Sequence, residues 1–185
     1  QQAIAQAEAM IAAGAGILDM GGESTRPGAK PVSTSEQLQR VVPAIQAIRR
    51  HHDIAISVDT SDPVVMEKAI EAGATMINDT RALQQPGALE VAIESGVKVC
   101  LMHMQGQPDT MQVRPSYPDN NVTQAVYDWF TKLLATYITK GLQPHQIIVD
   151  PGFGFGKTTA HNWSLLKNLD HFQTFGLPIL VGLSN

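Results

Sequence analysis

The pattern of hydrophobic and polar positions alternates between two periods along the chain. Apolar residues at helical spacing form a first stripe at Ile4, Ala7 and Ile11, which ends at Gly14. A short apolar run of strand length follows, and the succession of helix, glycine and strand then repeats. Strands are predicted at 17–20, 54–60, 75–79, 98–104, 147–149 and 178–184.

Local signals mark the ends of the predicted helices. Ser33 and Glu36 have the spacing of a capping box. Asp62 followed by Pro63 is a strong helix start, since the acid caps the helix and proline suits its first turn. Helical stripes are predicted within 4–11, 38–48, 63–72, 88–95, 122–138 and 163–169.

The order of these elements predicts the fold class. Strands separated by helices of this length indicate βαβ units and a parallel sheet, with residues 1–185 in a single domain. We expect a (β/α)8 TIM barrel that is incomplete here, with six of its eight strands, because closure is typical at about 250 residues. Both ends of the chain are therefore expected to be cut. An open doubly wound sheet is the alternative, with functional strand ends clustered at one crevice.

Composition narrows the class of protein. The chain has 185 residues, 43% of them hydrophobic, and a net charge of −4, which suits a soluble domain with a substantial core. The sequence has no basic cluster of the kind that nucleic-acid binding proteins carry. It also has no apolar run long enough for a membrane span. The single cysteine, Cys100, favours a reducing, cytoplasmic compartment. Because Cys100 lies in an apolar run, we expect a buried structural thiol.

Polar side chains stand at the carboxyl ends of the predicted strands. One polar residue there is ordinary, but a ring of carboxylates and amides around one mouth is costly to desolvate unless it binds something. In parallel barrels that rim carries the active site. The strand ends carry Glu23, Ser24, Thr25, Arg26, Asp59, Thr60, Asn78, Asp79, His103, Met104, Asp150 and Ser184.

The most informative strand end is the stretch 147–157. Asp150 follows a β-branched run and precedes a proline and three spaced glycines, which let the backbone approach a ligand closely. A phosphate-binding loop would need glycine where Pro151 stands, so Lys157 gains no phosphate role and its loss is expected to be mild. By itself the stretch is also compatible with an ordinary connection that contains turn glycines.

This ring suits a flat heterocycle that is rich in hydrogen-bond donors. The Asp150 carboxylate can accept two parallel N–H bonds from an aminopyrimidinone edge, and the Asn78 amide can match a mixed edge. Phe153, Phe155 and Met104 would supply apolar faces.

Two further features have expected roles. His103 is expected to be hydrogen-bonded, either in a structural role or in support of site residues, because the six histidines are scattered and no pair has metal-ligand spacing. The loop 105–120 contains three prolines and is unusually long for a compact domain, which favours a functional lid over a plain connection.

Five motifs occur in a fixed order along the chain, at 21–28 (GGESTRPG), 57–60 (SVDT), 77–79 (IND), 101–106 (LMHMQG) and 150–157 (DPGFGFGK). Together they closely resemble bacterial dihydropteroate synthase, from end to end of the chain. The first and last motifs are highly specific, and the others gain weight from their order. The resemblance implies a barrel that condenses 6-hydroxymethyl-7,8-dihydropterin diphosphate with 4-aminobenzoate. The products would be 7,8-dihydropteroate and diphosphate, in folate biosynthesis, by an enzyme that sulfonamides target.

The resemblance also implies roles for single residues. Asp59 and Arg26 would be catalytic. The pterin would be bound by Asp59, Asn78, Met104, Asp150 and Gly182. The aminobenzoate or the diphosphate would be bound by Thr25, Arg26, Pro27, Phe155 and Ser184. Mg²⁺ would help the diphosphate leave, although the family's metal-binding Asn lies before residue 1, and the intact enzyme would be a homodimer.

Two alternatives stay open at this level. A related barrel moves a methyl group from methyltetrahydrofolate to a corrinoid, but the residues at 24–28 are not expected there. A non-catalytic pterin-binding module is the other, because the family's late pterin-binding lysine and Arg-x-His anion site are missing from this chain. Flanking sequence would discriminate, since Thr-Pro-Asp-Ser-Phe upstream and Arg-Lys-Ser downstream favour the synthase.

Overall fold

A computed structural model of the chain describes residues 2–24, 31–106 and 111–183. Within these ranges helices and strands alternate, as the sequence predicts. The helices are α1 (Gln2–Ala12), α2 (Thr34–Arg49), α3 (Pro63–Ala72), α4 (Ala88–Ser95), α5 (Val122–Thr139) and α6 (Thr159–Lys167). The strands are β1 (Ile17–Gly21), β2 (Ala55–Asp59), β3 (Met76–Asp79), β4 (Lys98–Met102) and β5 (Ile147–Asp150). Short 3₁₀-helices lie at Pro118–Asn120, Pro144–Gln146 and Leu169–Phe175.

The five strands form one parallel sheet in chain order, β1-β2-β3-β4-β5. Each parallel neighbour requires a crossover, and helices supply the crossovers here. In a doubly wound sheet the strand order reverses partway, whereas this order runs in one direction. The strand order therefore confirms the predicted barrel wall and argues against the open doubly wound alternative.

The predicted sixth strand differs from the expectation. Within the described part of 178–184, a single bridge joins Ile179 to Val149 of β5. Val149 N donates to Pro178 O at 3.0 Å, and Leu180 N donates to Val149 O at 2.9 Å. The prediction of six strands is therefore wrong by one for the described residues. Among the described residues, this segment pairs with β5 alone, through these two hydrogen bonds.

The hydrophobic core lies between one face of the sheet and the helices. Alternate strand residues, including Leu18, Ile56, Ile77 and Leu101, are buried together with helix residues such as Ile45. Burying one such side chain stabilises the fold by about 1.5–3 kcal/mol. The core thus fixes which face of each strand is left for the site.

The starts of α2 and α3 and the end of α3 follow the predicted signals, whereas α6 begins at Thr159, before the predicted 163–169. Ser33 Oγ accepts a hydrogen bond from Glu36 N at 3.3 Å, and the Asp62 side chain accepts from the first backbone N–H groups of α3. Gly73 ends α3 in the left-handed conformation, which glycine adopts without a steric penalty. Among the helices of the described ranges, none combines the length and apolarity that crossing a membrane requires.

Candidate functional site

The strand residues that face away from the helices form what we call the inner face of the sheet. Register pairing places Asp59 of β2 beside Asn78 of β3, and Asn78 beside Cys100 of β4. Asp150 ends β5 beside Met102. Because side chains alternate across a strand and register partners share a face, Asp59, Asn78 and Asp150 all project from the inner face. The structure therefore brings these three predicted residues to one edge of one surface.

Asp59 lies among other negative charges. Burial, followed by the charges of Asp19, Asp79 and Glu23, raises the pKa of Asp59 from the ordinary 3.8 to about 7. A cation that reaches the inner face would relieve this repulsion and favour the ionised carboxylate. Asp59 thus lies where positive charge on a ligand would favour ionisation of its carboxyl group.

Asn78 is held by a residue that sequence reasoning missed. Its Nδ2 donates to Asp19 Oδ2 at 3.0 Å. An ionised carboxylate can only accept, so the amide nitrogen must point to Asp19 and Oδ1 is turned away from it. Strand alternation was the available signal, because Asp19 precedes Gly21 by two positions and so shares its face.

Asp150 is buried, with 7% of its surface exposed. Its Oδ1 accepts a hydrogen bond from Gly152 N at 2.7 Å. Burial raises the pKa of Asp150 to about 6, while the Gly152 N–H and the charge of Lys157 act in the opposite direction. Among the described residues, no hydrogen bond reaches Oδ2 of Asp150, so this oxygen is the one that a ligand edge can use.

Cys100 lies on the inner face in the central part of the sheet and is fully buried. Burial raises the pKa of its thiol well above the usual range, and the charges of Asp150, Asp19, Asp59 and Asp79 add to the effect. The thiolate is the reactive form of cysteine, so this thiol is inert while the protein stays folded. The burial confirms the expectation of a structural thiol.

Two glycines let the loop after β5 pack directly on the loop after β4. Gly152 has φ +71°, and a Cβ at this position would lie 2.0 Å from His103 O. Gly156 has φ +67°, and its Cβ would lie 2.4 Å from Gln105 O. The predicted close approach of this glycine-rich stretch is thus made to the neighbouring loop of the protein itself.

The described part of the loop 105–120 is docked on the same β5 loop. Tyr117 is buried and its hydroxyl donates to Gly156 O at 2.9 Å. The Gln112 side chain donates to Gly154 O. We call the loop after β4 (described at 103–106 and 111–121) and the loop after β5 (151–158) together the loop pair. Residues 107–110 lie outside the described ranges, so the lid hypothesis stays a prediction.

His103 and Lys157 form a buried contact inside the loop pair. His103 is 6% exposed, and Lys157 Nζ lies 3.0 Å from its Nδ1. The ring of His103 also meets Trp129 edge-on, with centroids 5.0 Å apart. Burial, followed by the charge of Lys157, lowers the pKa of His103 to about 3. These contacts confirm that His103 is hydrogen-bonded, and they give Lys157 partners that the sequence did not predict.

The loop after β1 is fixed on both sides of residues 25–30. Arg40 donates to Gly22 O at 2.8 Å, and Glu23 Oε1 accepts from Val32 N at 3.0 Å. A Cβ on Gly22 would lie 2.9 Å from the Cα of Gln37, so this glycine packs directly on α2. Four predicted site residues lie outside the described residues: Thr25, Arg26, Pro27 and Ser184.

Three other predicted residues are described. Met104 follows β4 and is partly buried. Phe155 is also partly buried, and its carbonyl accepts from Lys157 Nζ at 3.0 Å. Gly182 is exposed, and nothing lies within 4 Å of a Cβ built on it. The pterin and aminobenzoate roles of these residues stay predictions.

Asp79 does not belong to the polar ring, contrary to the expectation from the strand ends. It is fully buried on the helix side of the sheet, next to Asn78 on the inner side. Its carboxylate accepts from Arg81 N at 2.8 Å and from Leu83 N at 2.7 Å, and it also accepts from the Ser61 hydroxyl. Strand alternation turns Asp79 away from the ring, and there it caps the loop after β3.

A cavity of about 440 Å³ lies elsewhere, against β1, α1 and α2. Met10, Asp19, Met20 and Val41 contribute to its lining. Asp59, Asn78 and Asp150 do not line it. The chemistry of the inner face, rather than this cavity, therefore defines the candidate site.

The donor set of the site does not form a protein-only metal centre. Over the described ranges, no group of three or more His, Cys, Asp or Glu side chains is arranged to hold a metal ion. Mg²⁺ commonly binds through one or two carboxylates together with substrate phosphates and water. A metal at this site would thus depend on a phosphate-bearing ligand.

These features define a class of protein: a parallel α/β-barrel wall that presents carboxylate and amide groups at the carboxyl ends of its strands. The sequence profile described as "Pterin binding enzyme" matches residues 1–185. The chain therefore belongs to the pterin binding enzyme family.

The relatives agree with this assignment. The dihydropteroate synthase of Escherichia coli K12 is 51% identical over 182 residues, which cover 98% of this chain and 64% of that protein. A Yersinia pestis dihydropteroate synthase in a sulfonamide drug complex superposes with a TM-score of 0.94 at 47% identity, covering 98% of this chain and 65% of that one. A Xanthomonas albilineans dihydropteroate synthase with 4-aminobenzoic acid has a TM-score of 0.91 at 41% identity, covering 98% and 63%. The chain thus spans a little under two thirds of the length of these relatives.

Proposed function

We propose that the whole protein is a dihydropteroate synthase, a transferase that joins 4-aminobenzoate to a dihydropterin. The observation that carries the proposal is the row of Asp59, Asn78 and Asp150 on the inner face. This row offers carboxylate and amide acceptors to a donor-rich ring edge. The synthase names of the similar proteins support the same activity.

In this proposal, Asp150 and Asn78 bind the pterin ring. The Asp150 oxygen that the protein leaves without a hydrogen bond would accept from the aminopyrimidinone edge. Asp19 holds the Asn78 amide so that its oxygen is available as an acceptor. Met104 and Gly182 would line the pterin pocket, as the family resemblance implies.

Asp59 would act on the reaction through its charge. When the bond between the pterin methylene carbon and the diphosphate oxygen breaks, the electron pair leaves with the oxygen and the carbon becomes cationic. The amine nitrogen of 4-aminobenzoate then bonds to that carbon and loses a proton. An ionised Asp59 near the developing cation would lower the barrier by electrostatic stabilisation, and the cation in turn favours ionisation of Asp59.

The second substrate would be bound by groups outside the row. Phe155 of the β5 loop would contact the aminobenzoate, together with Thr25, Arg26, Pro27 and Ser184. Arg26 would also act on the departing diphosphate, since guanidinium groups pair well with phosphate oxygens. The 4-aminobenzoic acid in the Xanthomonas albilineans enzyme supports this substrate class.

Mg²⁺ is part of the proposal as a partner of the diphosphate. It would neutralise charge on the leaving group, held mainly by phosphate oxygens and water. We also propose a cytoplasmic homodimer that acts on small molecules and binds neither nucleic acid nor membrane. The net charge of −4 and the single, buried cysteine support this description.

The experiment that tests the function is a coupled measurement on the whole protein. Pterin diphosphate and 4-aminobenzoate should disappear together, and dihydropteroate and diphosphate should form in equal amounts. Omission of 4-aminobenzoate should abolish dihydropteroate formation. Pterin binding without turnover would contradict the proposal in favour of a binding module, and methyl transfer to a corrinoid would contradict it in favour of the methyltransferase.

A further inference from the structure

Lys157 is a buried lysine with all its donors in use. It is 3% exposed, and its Nζ lies 3.0 Å from His103 Nδ1, 3.2 Å from His103 O and 3.0 Å from Phe155 O. A lysine ammonium has three N–H donors and no acceptor. The three contacts therefore use the full donor capacity, and none is left for a substrate phosphate.

These contacts join the two halves of the loop pair at their strand ends. His103 directly follows β4, and its backbone N donates to Asp150 O at 2.9 Å. Phe155 belongs to the loop that follows β5. Lys157 thus links the backbone that carries Met104 to the backbone that carries Asp150 and Phe155, which are three residues of the proposed pterin and aminobenzoate site.

The charged surroundings of Lys157 fit this place in the site. Burial lowers its pKa to about 7, and the charge of Asp150 acts in the opposite direction. Reciprocally, the charge of Lys157 holds down the pKa of Asp150 against burial. Burial, followed by the charge of Lys157, lowers the pKa of His103 to about 3, so the imidazole that Lys157 contacts is neutral.

We propose that Lys157 is a positioning residue for pterin binding, which fixes the ends of β4 and β5 so that Asp150 meets the pterin ring edge. The proposal rests on the proposed function and assigns Lys157 a role in the geometry of that site. It replaces the expectation that loss of Lys157 is mild. A side chain that only filled space here would be replaceable by an apolar one of similar length, and this contrast gives the test.

The test compares Lys157→Met with Lys167→Met in the whole protein. Met keeps most of the length of Lys157 but leaves its three acceptors without a donor, whereas Lys167 is exposed on α6. Calorimetry with 6-hydroxymethylpterin should show a dissociation constant at least about tenfold higher for Lys157→Met, because buried acceptors lose their donor. Lys167→Met should bind as the wild type does.

A second pair of variants decides the matter if Lys157→Met does not fold. His103→Asn retains an acceptor near the Nδ1 position, and His103→Leu removes it while Lys157 stays in place. Pterin affinity should fall in His103→Leu and be largely retained in His103→Asn. Tyr117→Phe removes a different hydrogen bond of the loop pair, to Gly156 O, and should leave pterin affinity unchanged.

The outcomes separate this proposal from the proposed function. Wild-type protein that binds no pterin would overturn the proposed function itself. Wild-type binding together with unchanged affinity in Lys157→Met, or equal affinities in the two His103 variants, would overturn the positioning role alone. An equal loss in Tyr117→Phe would also overturn it, because general loosening of the loop pair would then account for the effect.

Discussion

The charged residues of the inner face are expected to differ in whether their charge serves pterin binding or the reaction itself. Asp59 gives the sharpest test of this difference. Asp59→Asn keeps the size of the side chain and removes its charge. If the charge stabilises a developing cation, turnover in the whole protein should fall by about two orders of magnitude or more, the scale of one lost electrostatic stabiliser. The Michaelis constant for the pterin diphosphate should change much less. Equal losses of pterin affinity and turnover, measured by steady-state kinetics and calorimetry, would leave Asp59 as a ring anchor only.

Asp150 should behave in the opposite way. Asp150→Asn loses the charge that a donor-rich ring edge meets, and an amide N–H can then face a ring N–H. The loss of pterin binding energy should be at least about 2–3 kcal/mol, because a charged hydrogen bond is removed and a buried group is left unpaired. Calorimetry with a non-reactive pterin measures it, and an unchanged affinity would refute the role of Asp150.

The raised pKa of Asp59 also predicts a pH effect on stability. Because the pKa is raised, Asp59 keeps its proton up to about pH 7 in the folded protein, whereas it releases the proton near pH 3.8 in the unfolded chain. Stability from this group is therefore present at low pH and is lost as the pH rises through this window. Urea denaturation should show that the stability of wild type relative to Asp59→Asn falls between about pH 4 and about pH 8. Subtracting the free energy of unfolding of Asp59→Asn from that of the wild type removes the contribution of Asp150, which titrates in the same pH range. A difference that stays constant with pH would contradict the prediction.

Site residues at strand ends could be predicted from the sequence, whereas residues that act through long-range contacts could not. Asp59, Asn78 and Asp150 could be predicted because a strand pattern runs into each of them. Lys157 could not, because its burial depends on His103, which lies 54 positions earlier in the chain. Long-range contacts of this kind have no local signature in one sequence.

At the level of elements, the contact between the β4 and β5 loops depends on glycine at defined positions. Gly152→Ala would place a Cβ 2.0 Å from His103 O at φ +71°, so both strain and overlap result. Gly154→Ala is the matched control, with φ +81° and nothing within 4 Å of its Cβ. The control should lose about 1–2 kcal/mol from the left-handed conformation, and Gly152→Ala should lose clearly more. Denaturant unfolding of both variants checks the difference, and equal losses would show that the loops do not pack as described.

Element boundaries were predictable to the extent that local chemistry sets them. Asp62-Pro63 and the glycine stops are local signals, and α3 begins and ends and α4 ends where these signals stand. The segment after Gly176 has the apolar pattern of a strand, yet its described residues, up to 183, pair with β5 through a single bridge. Pairing is a property of two segments and their register, so the pattern of one segment cannot determine it.

For the whole molecule, the exposed sheet edge determines the behaviour of residues 1–185 expressed alone. β1 pairs with β2 on one side, has no other strand beside it among the described residues, and exposes 51% of Ile17. Unpaired edges favour association, so we expect this polypeptide to be aggregated or molten. Analytical ultracentrifugation and thermal unfolding measure both properties. Ile17→Lys should raise the monomer fraction, and a monomeric wild-type chain with a sharp, reversible transition would rule out the prediction.

The barrel architecture was predictable because it repeats. Each strand, loop and helix unit carries the same pattern, so several weak local signals combine into one strong prediction. The strand order confirms it, and the similar structures share the fold over the length that this chain covers. What repetition cannot predict is the asymmetry of the site, which comes from individual contacts such as that between Asp19 and Asn78.

Because Cys100 is buried, the rate at which its sulfur is labelled can report how often the sheet opens. It is the only cysteine in the chain and lies in β4 with no exposed surface. A maleimide or disulfide reagent can reach its sulfur only when β4 separates from its surroundings, so the labelling rate measures how often the sheet opens. A ligand bound across the inner face would slow that rate in proportion to its occupancy. The alkylation kinetics of one native sulfur would therefore measure ligand binding without any added dye or tag.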